Sequence, residues 1–167
     1  MDDALDWMIG QWRTERPDLD ASPMGVVGRL QRASRLLERG LTDHFAPHGL
    51  QRWEFDLLAT LLRAGPPYRL SAGALGRAAM VTSGAVTNRV DRLAARGLVT
   101  REPDPASRRS ILVALTDEGR ATIGALLEGH FANEIRLLAA LTPAERDQLA
   151  GLLRKLLLGL GDLPPEQ

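Results

Sequence analysis

Thr82-Ser83-Gly84-Ala85-Val86-Thr87-Asn88-Arg89-Val90-Asp91-Arg92-Leu93-Ala94-Ala95-Arg96-Gly97, running straight into Leu98-Val99-Thr100-Arg101, is the stretch whose reading decides the fold. A hydroxyl residue, Thr82 or Ser83, caps a helix, and Gly97 stops it. At 100° per residue Val86, Val90, Leu93 and Ala94 fall on one side and Gly84, Asn88, Asp91 and Arg92 on the other. The outer face begins small and polar: Thr82, Ser83, Gly84, Thr87 and Asn88. A helix that enters a DNA major groove needs such a start, with small residues for close approach and hydrogen-bonding side chains for base edges. A plainly solvated helix face is the other reading of the same pattern.

The flanks favour the groove-reading version. Upstream, Ser71 caps a short helix ending near Ala79. Downstream, Leu98–Arg101 and Ile111–Leu115 are β-rich runs around the polar stretch 102–110, which reads as a hairpin with a long tip. Helix, turn, helix and hairpin is the order of a winged helix. The tip carries Arg108 and Arg109, which suit the DNA backbone or minor groove when set beside a recognition helix.

Outside the head the chain reads as helices. Leu5, Met8, Ile9 and Trp12 recur at helical spacing, Ser22-Pro23 opens a long amphipathic helix, and Gln51–Ala64 forms another. Thr116 caps a helix through about Ala140, and Thr142-Pro143-Ala144-Glu145 opens the last one with a capping box. The expected fold is mainly α with a small β-wing, a winged helix-turn-helix head on a helical dimerisation scaffold. One domain spans 1–167: an extra N-terminal helix at 1–16, scaffold helices at 22–64, the head at 67–115 and dimerisation helices at 116–161. The long helices carry more apolar surface than a small head can cover, which predicts a twofold homodimer reading a pseudo-palindrome in double-stranded DNA, with half-sites about 34 Å apart.

The 167 residues hold 21 basic and 21 acidic side chains and no cysteine. Zero net charge argues against a nucleic-acid partner until the charges are located. Residues 77–110 contain seven arginines and three acids, a net +4, so the remainder is −4. The absence of cysteine excludes thiol sensing and thiolate metal sites. The histidines His44, His48 and His130 do not form a metal site by spacing, and no cofactor is expected. His130 is either a packed histidine or a group at the dimer interface titrating near neutrality. There is no nucleophile elbow, phosphate loop or paired carboxylate with an acid/base partner, so no enzyme is expected. The acidic start Met1-Asp2-Asp3 is unlike a signal peptide, and the apolar run Leu156–Leu160 is far too short to span a membrane. A cytoplasmic protein is expected.

Pro67–Gly119 resembles the MarR family of winged-helix regulators, through Tyr68-Arg69-Leu70, Leu75, Thr82–Leu93, Gly97-Leu98-Val99, Pro103–Arg109 and Leu115-Thr116-Asp117-Glu118-Gly119. Ser107 departs from it, standing where the family's wing more often carries an acid before its arginines. Trp12, Arg16-Pro17-Asp18-Leu19-Asp20, Pro23-Met24 and Trp53–Ala59 are similar to the urate-responsive, PecS-like branch, which has an extra helix before the usual first one. That resemblance implies a site for urate or a related purine-type anion. By motif, the branch's Trp, Asp and head Arg fall on Trp12, Asp56 and Arg89, and an Arg at the start of the wing on Arg101. The residue chemistry is compatible: Arg89 sits at the edge of the buried stripe, Asp56, Thr60 and Arg63 share one side of their helix, and Trp12 offers a ring for stacking. Each also has a plainer role, as core anchor, solvated face or phosphate contact. The expected function is a ligand-responsive repressor. The alternatives are a sensor of phenolic or drug-like compounds regulating efflux or catabolism, and a winged-helix scaffold for protein contact.

Overall fold

The computed structural model describes residues 1–79, 83–105 and 107–163, without the side chains of Ser83, Arg108 and Arg109. Thr82 lies outside the described residues, as do the side chains of those three. The chain divides into two compact units, residues 1–43 and 44–167.

In the first unit, α1 (Ala4–Glu15) packs on the N-terminal part of α2 (Met24–Phe45). Asp3 caps α1, accepting from the backbone N–H groups of Leu5 and Asp6, while Asp6 returns a carboxylate to the Asp3 N–H. Arg29 on α2 donates to both carboxylates, at 2.8 Å to Asp3 and 2.7 Å to Asp6, and holds both below the usual carboxylate range. Gly28 makes the approach possible: a Cβ there would run into the Leu5 side chain, which is buried. The extra helix is therefore fixed by an ion triad and a glycine contact. α2 begins at Met24, after a turn in which the Gly25 N–H bonds the Ser22 carbonyl at 2.9 Å, rather than on a cap at Ser22.

The second unit opens with the end of α2 and a 3-10 turn at Ala46–His48, closed by Gly49 at φ 63°. α3 (Arg52–Arg63) buries Phe55, Leu57, Leu58 and Leu61. The short strand β1 (Arg69–Ser71) leads into α4 (Ala72–Ala78), capped by the Ser71 hydroxyl on the Ala74 N–H. α5 (Ser83–Ala95) turns Val86, Val90 and Leu93 into the core, as the wheel predicts. β2 (Val99–Asp104) and β3 (Ser107–Leu115) form the wing, and β3 also pairs antiparallel with β1 in the order β1-β3-β2. α6 (Asp117–Leu137) and α7 (Pro143–Gly159) complete the chain. α6 ends at Leu137, short of Ala140.

The wing corrects one expectation. Its strands continue through most of the stretch read as a long polar tip, with Glu102 opposite Leu112, Pro103 opposite Ile111 and Asp104 opposite Ser107. The register shifts between Pro103 and Asp104. Pro103 has no N–H to give the ladder, so the strand absorbs it at an irregular step instead of ending there.

One junction fixes the head to α6. Gly97, at φ 72°, ends α5 in the left-handed region, and the Leu98 N–H closes on the Leu93 carbonyl at 3.0 Å. The Thr116 hydroxyl, which caps α6, donates to the Gly97 carbonyl at 2.7 Å. Gly119 then lies against the Leu98 backbone so closely that a Cβ would strike the carbonyl oxygen. Gly119→Ala should therefore cost about 1–3 kcal/mol despite alanine's better helix propensity, read as a lowered midpoint in urea denaturation.

Candidate nucleic-acid interface and anion site

On α5 the residues proposed for base reading, Gly84, Thr87 and Asn88, are exposed, on the face away from Val86 and Val90. Among the described residues, no neighbouring atom meets a Cβ built on Gly84 within 4 Å. Ser83 begins the helix, and Arg108 and Arg109 lie on β3 in the wing.

Arg89, Arg92, Arg96 and Arg101 have structural partners that spacing did not reveal. Arg89, Arg92 and Arg96 recur at i, i+3 and i+7 and form one stripe along α5. That stripe meets the first turn of α3. The guanidinium of Arg89 lies 5.5 Å from the centroid of the Trp53 ring, and that of Arg92 lies 4.9 Å from it. Arg96 Nη1 donates to both carboxylate oxygens of Glu54 at 2.8 Å. Glu54 is only 3% exposed, whereas the Arg96 side chain is 41% exposed. The Glu54 carboxylate also accepts from the Gln51 N–H at 2.8 Å, so it caps α3 and anchors α5 together. Arg101, expected at the anion site, is ion-paired with Asp91 and ties the base of the wing to α5. Trp53 and Glu54 were not singled out from sequence. The available signal was a Trp-Glu pair two residues after the Gln51 cap, together with an arginine stripe of period three to four on α5.

Asp56 lies one turn beyond Trp53. Its side chain is half exposed and pairs loosely with Arg52 at 3.7 Å. The protein packed around it pushes its carboxyl above the ordinary value, while positive charge on Arg52, His130, Arg89 and Arg63 acts in the opposite sense. Asp56 and Arg89 are thus close enough to feel each other. Thr60, which shares with Asp56 and Arg63 one side of α3, is buried: it donates to the Asp56 carbonyl at 2.7 Å and accepts from Arg63 at 3.0 Å. Trp12 lies on α1 in the first unit, 46% exposed, alongside Gln11, Thr14 and Glu15 at a surface hollow.

The histidines gather in an aromatic cluster rather than around a metal. The His130 ring lies 4.4 Å from Phe55 and 5.6 Å from Phe45, and His44 is edge-on to Phe45 at 5.1 Å. Burial, with positive charge at His48, His130 and Arg136, lowers the His44 pKa. Among the described residues no group of three or more His, Cys, Asp or Glu side chains is placed to hold a metal ion. Nor is any described helix long and apolar enough to cross a membrane.

A model described as MarR family matches residues 48–110. The chain is 42% identical over 146 residues to the HTH-type transcriptional regulator PecS of Dickeya dadantii (strain 3937), covering 87% of this chain and 88% of the relative. Among solved structures it is similar to Sco3205, a MarR family transcriptional regulator from Streptomyces coelicolor solved in complex with DNA, with TM-score 0.78, 28% identity and coverage of 88% and 91%. It is also similar to BpsR from Bordetella bronchiseptica, whose DNA binding is regulated by 6-hydroxynicotinic acid, with TM-score 0.71, 29% identity and coverage of 79% and 98%.

The Arg96–Glu54 contact predicts an asymmetry. Arg96→Ala leaves a buried carboxylate without its counter-charge and should cost about 2 kcal/mol. Glu54→Gln keeps an acceptor for the Gln51 N–H and leaves an arginine already in water, so it should cost under about 1 kcal/mol. Urea denaturation of both variants checks the order.

Proposed function

The chain belongs to the MarR family of DNA-binding transcriptional regulators, and from that premise we propose that it is a cytoplasmic homodimeric repressor released from a pseudo-palindromic operator by a small planar anion of the urate type. The DNA-reading surface is formed by Thr82, Ser83, Gly84, Thr87 and Asn88, with Arg92 and the wing arginines Arg108 and Arg109 on phosphates or the minor groove.

The observation that carries the anion site is Asp56, a half-exposed carboxyl whose pKa is raised by the protein packed around it and which feels the positive charge of Arg52, His130, Arg89 and Arg63. An anion approaching it meets cations on two elements and an acid that takes up a proton more readily than usual. Trp12 enters from the resemblance, as a ring on which a planar anion stacks, and Arg101 as a second cation once its pairing with Asp91 opens. Because Arg89 is on the recognition helix, a ligand that draws on it favours one placement of that helix over another, which is the differential affinity that coupling requires.

A second copy of the chain is the proposed cover for the apolar surface of the long helices. No residue of α7 is buried, and Leu152, Leu156 and Leu157 on it are exposed, as are Phe131 and Ile135 on α6. The likeness to BpsR favours a second reading of the ligand, as a hydroxylated aromatic acid.

Gel shifts on the DNA upstream of the chain's own gene test the proposal. Urate or xanthine should weaken binding, and Arg89→Ala and Trp12→Ala should abolish that response. Protonated Asp56 can donate to an anion where the ionised form repels it, so ligand affinity should rise as the pH is lowered into the carboxylate range, beginning at a higher pH than for an ordinary aspartate, and Asp56→Asn should flatten that dependence. DNA affinity unchanged at saturating urate and xanthine overturns the purine reading. A response to hydroxylated aromatic acids alone establishes the second one.

A further inference from the structure

The aromatic side chain at the start of α3 has no role in the reading above. Trp53 is partly buried and packs against the core cluster, and its indole N–H donates to the side-chain oxygen of Gln51, the residue that precedes α3. Both ends of the ring are therefore held in place. On this fixed ring lie two guanidinium groups of the recognition helix, Arg92 at 4.9 Å and Arg89 at 5.5 Å from the centroid. Two like charges on neighbouring turns of one helix repel each other, so sharing a ring is favourable only while the ring's attraction exceeds that repulsion. The next residue, Glu54, removes the remaining charge of the stripe by pairing with Arg96.

We propose that Trp53 is a positioning residue for DNA binding: its ring stores the charge of Arg92 in the free protein and releases it to a DNA phosphate when α5 enters the groove. The inference rests on the reading of α5 as the DNA-reading helix. Its consequence is discrimination. A cation free on the surface attracts any duplex, because phosphate contacts carry no sequence information. A cation held by an aromatic ring is given up only where the remaining contacts seat the helix. Trp53 thus lowers affinity for random DNA more than for the operator. The exchange is chemically reasonable because a guanidinium on a partly exposed ring is held by only a modest attraction, and a phosphate, with its full charge and two acceptor oxygens, competes for it effectively.

The test uses the full-length protein labelled with 5-fluorotryptophan, with the Trp53 resonance assigned by its loss in Trp53→Phe. In the free protein Arg92→Ala should shift the Trp53 resonance and leave those of Trp7 and Trp12 in place, a measurement that requires no DNA. Operator DNA should shift the Trp53 resonance in the wild type and much less in Arg92→Ala. Trp53→Leu should bind random-sequence duplex about 3- to 10-fold more tightly at low salt, with a salt slope steeper by about one, while operator binding changes less. Trp53→Phe, which keeps an aromatic face, should restore most of the discrimination. If Trp53→Leu does not fold, the resonance shifts in wild type and Arg92→Ala decide alone. A Trp53 resonance that ignores both Arg92→Ala and the operator overturns the proposal and leaves Trp53 a core anchor. A shift with Arg92→Ala in the free protein, combined with no operator binding at any salt, refutes instead the reading of α5 as a DNA-binding helix. Random-duplex affinity that falls in Trp53→Leu also overturns the proposal, because it means the ring presents Arg92 to DNA instead of withholding it.

Discussion

A carboxylate that is almost wholly out of water holds the reading head to its support. Glu54, at 3% exposure, has both a cation and a hydrogen-bond donor on its carboxylate, Arg96 just past the end of α5 and the Gln51 N–H from its own helix start. The contact fixes the last turn of α5 against the first turn of α3. Around that point the rest of the arrangement follows: Arg92 and Arg89, one and two turns earlier on the same stripe, reach the Trp53 ring, and Gly97 turns the chain immediately after Arg96 into the wing. The wing returns to α6 through Thr116 and Gly119, whose lack of a side chain lets α6 rest on the Leu98 backbone.

The pairing changes what the charge of the head means. Residues 77–110 carry a net +4, yet, among the described residues, four arginines of this segment have partners inside the protein: Arg89 and Arg92 on Trp53, Arg96 on Glu54 and Arg101 on Asp91. A formal count treats every guanidinium as available to phosphate. Carboxylate partners cancel the charge of Arg96 and Arg101, whereas an aromatic ring leaves the charge of Arg89 and Arg92 for a duplex to recruit, and only recruited charge contributes to salt-dependent binding. The same partners link α3 to α5, and Asp56, one turn along α3 from Trp53, feels the positive charge of Arg89.

Two kinds of surface remain exposed. The start of α5 is small and polar, suited to close approach by a groove. α7 is the opposite, a helix whose leucines are all partly or largely exposed and which nothing within the chain covers fully. A seventeen-residue helix of this composition is maintained by packing against something, because isolated helices of such length are marginal in water. That is the physical argument for a second copy of the chain as its partner.

Periodicity and punctuation determined the elements. The wheel of Val86, Val90 and Leu93, the Ser71, Thr116 and Thr142 caps, Gly97 and the β-rich runs at either end of the wing are local signals, and each appears in the structure as read. The length of the wing's strands was not legible, because Pro103 and the charged residues around it suggest a loop until β3 is there to pair with them. Nor could sequence tell which arginines would be spent internally. Arg96 and Glu54 are 42 positions apart, and Trp53 is almost as far from Arg92. Spacing along a chain fixes only which side chains share a helix face, whereas partners on different helices are chosen by how those helices cross. The sequence therefore determined that this chain builds a winged reading head. Only the tertiary structure decided how its charge is held, because a buried carboxylate and a fixed indole ring acquire their effect from the arginines that folding brings to them.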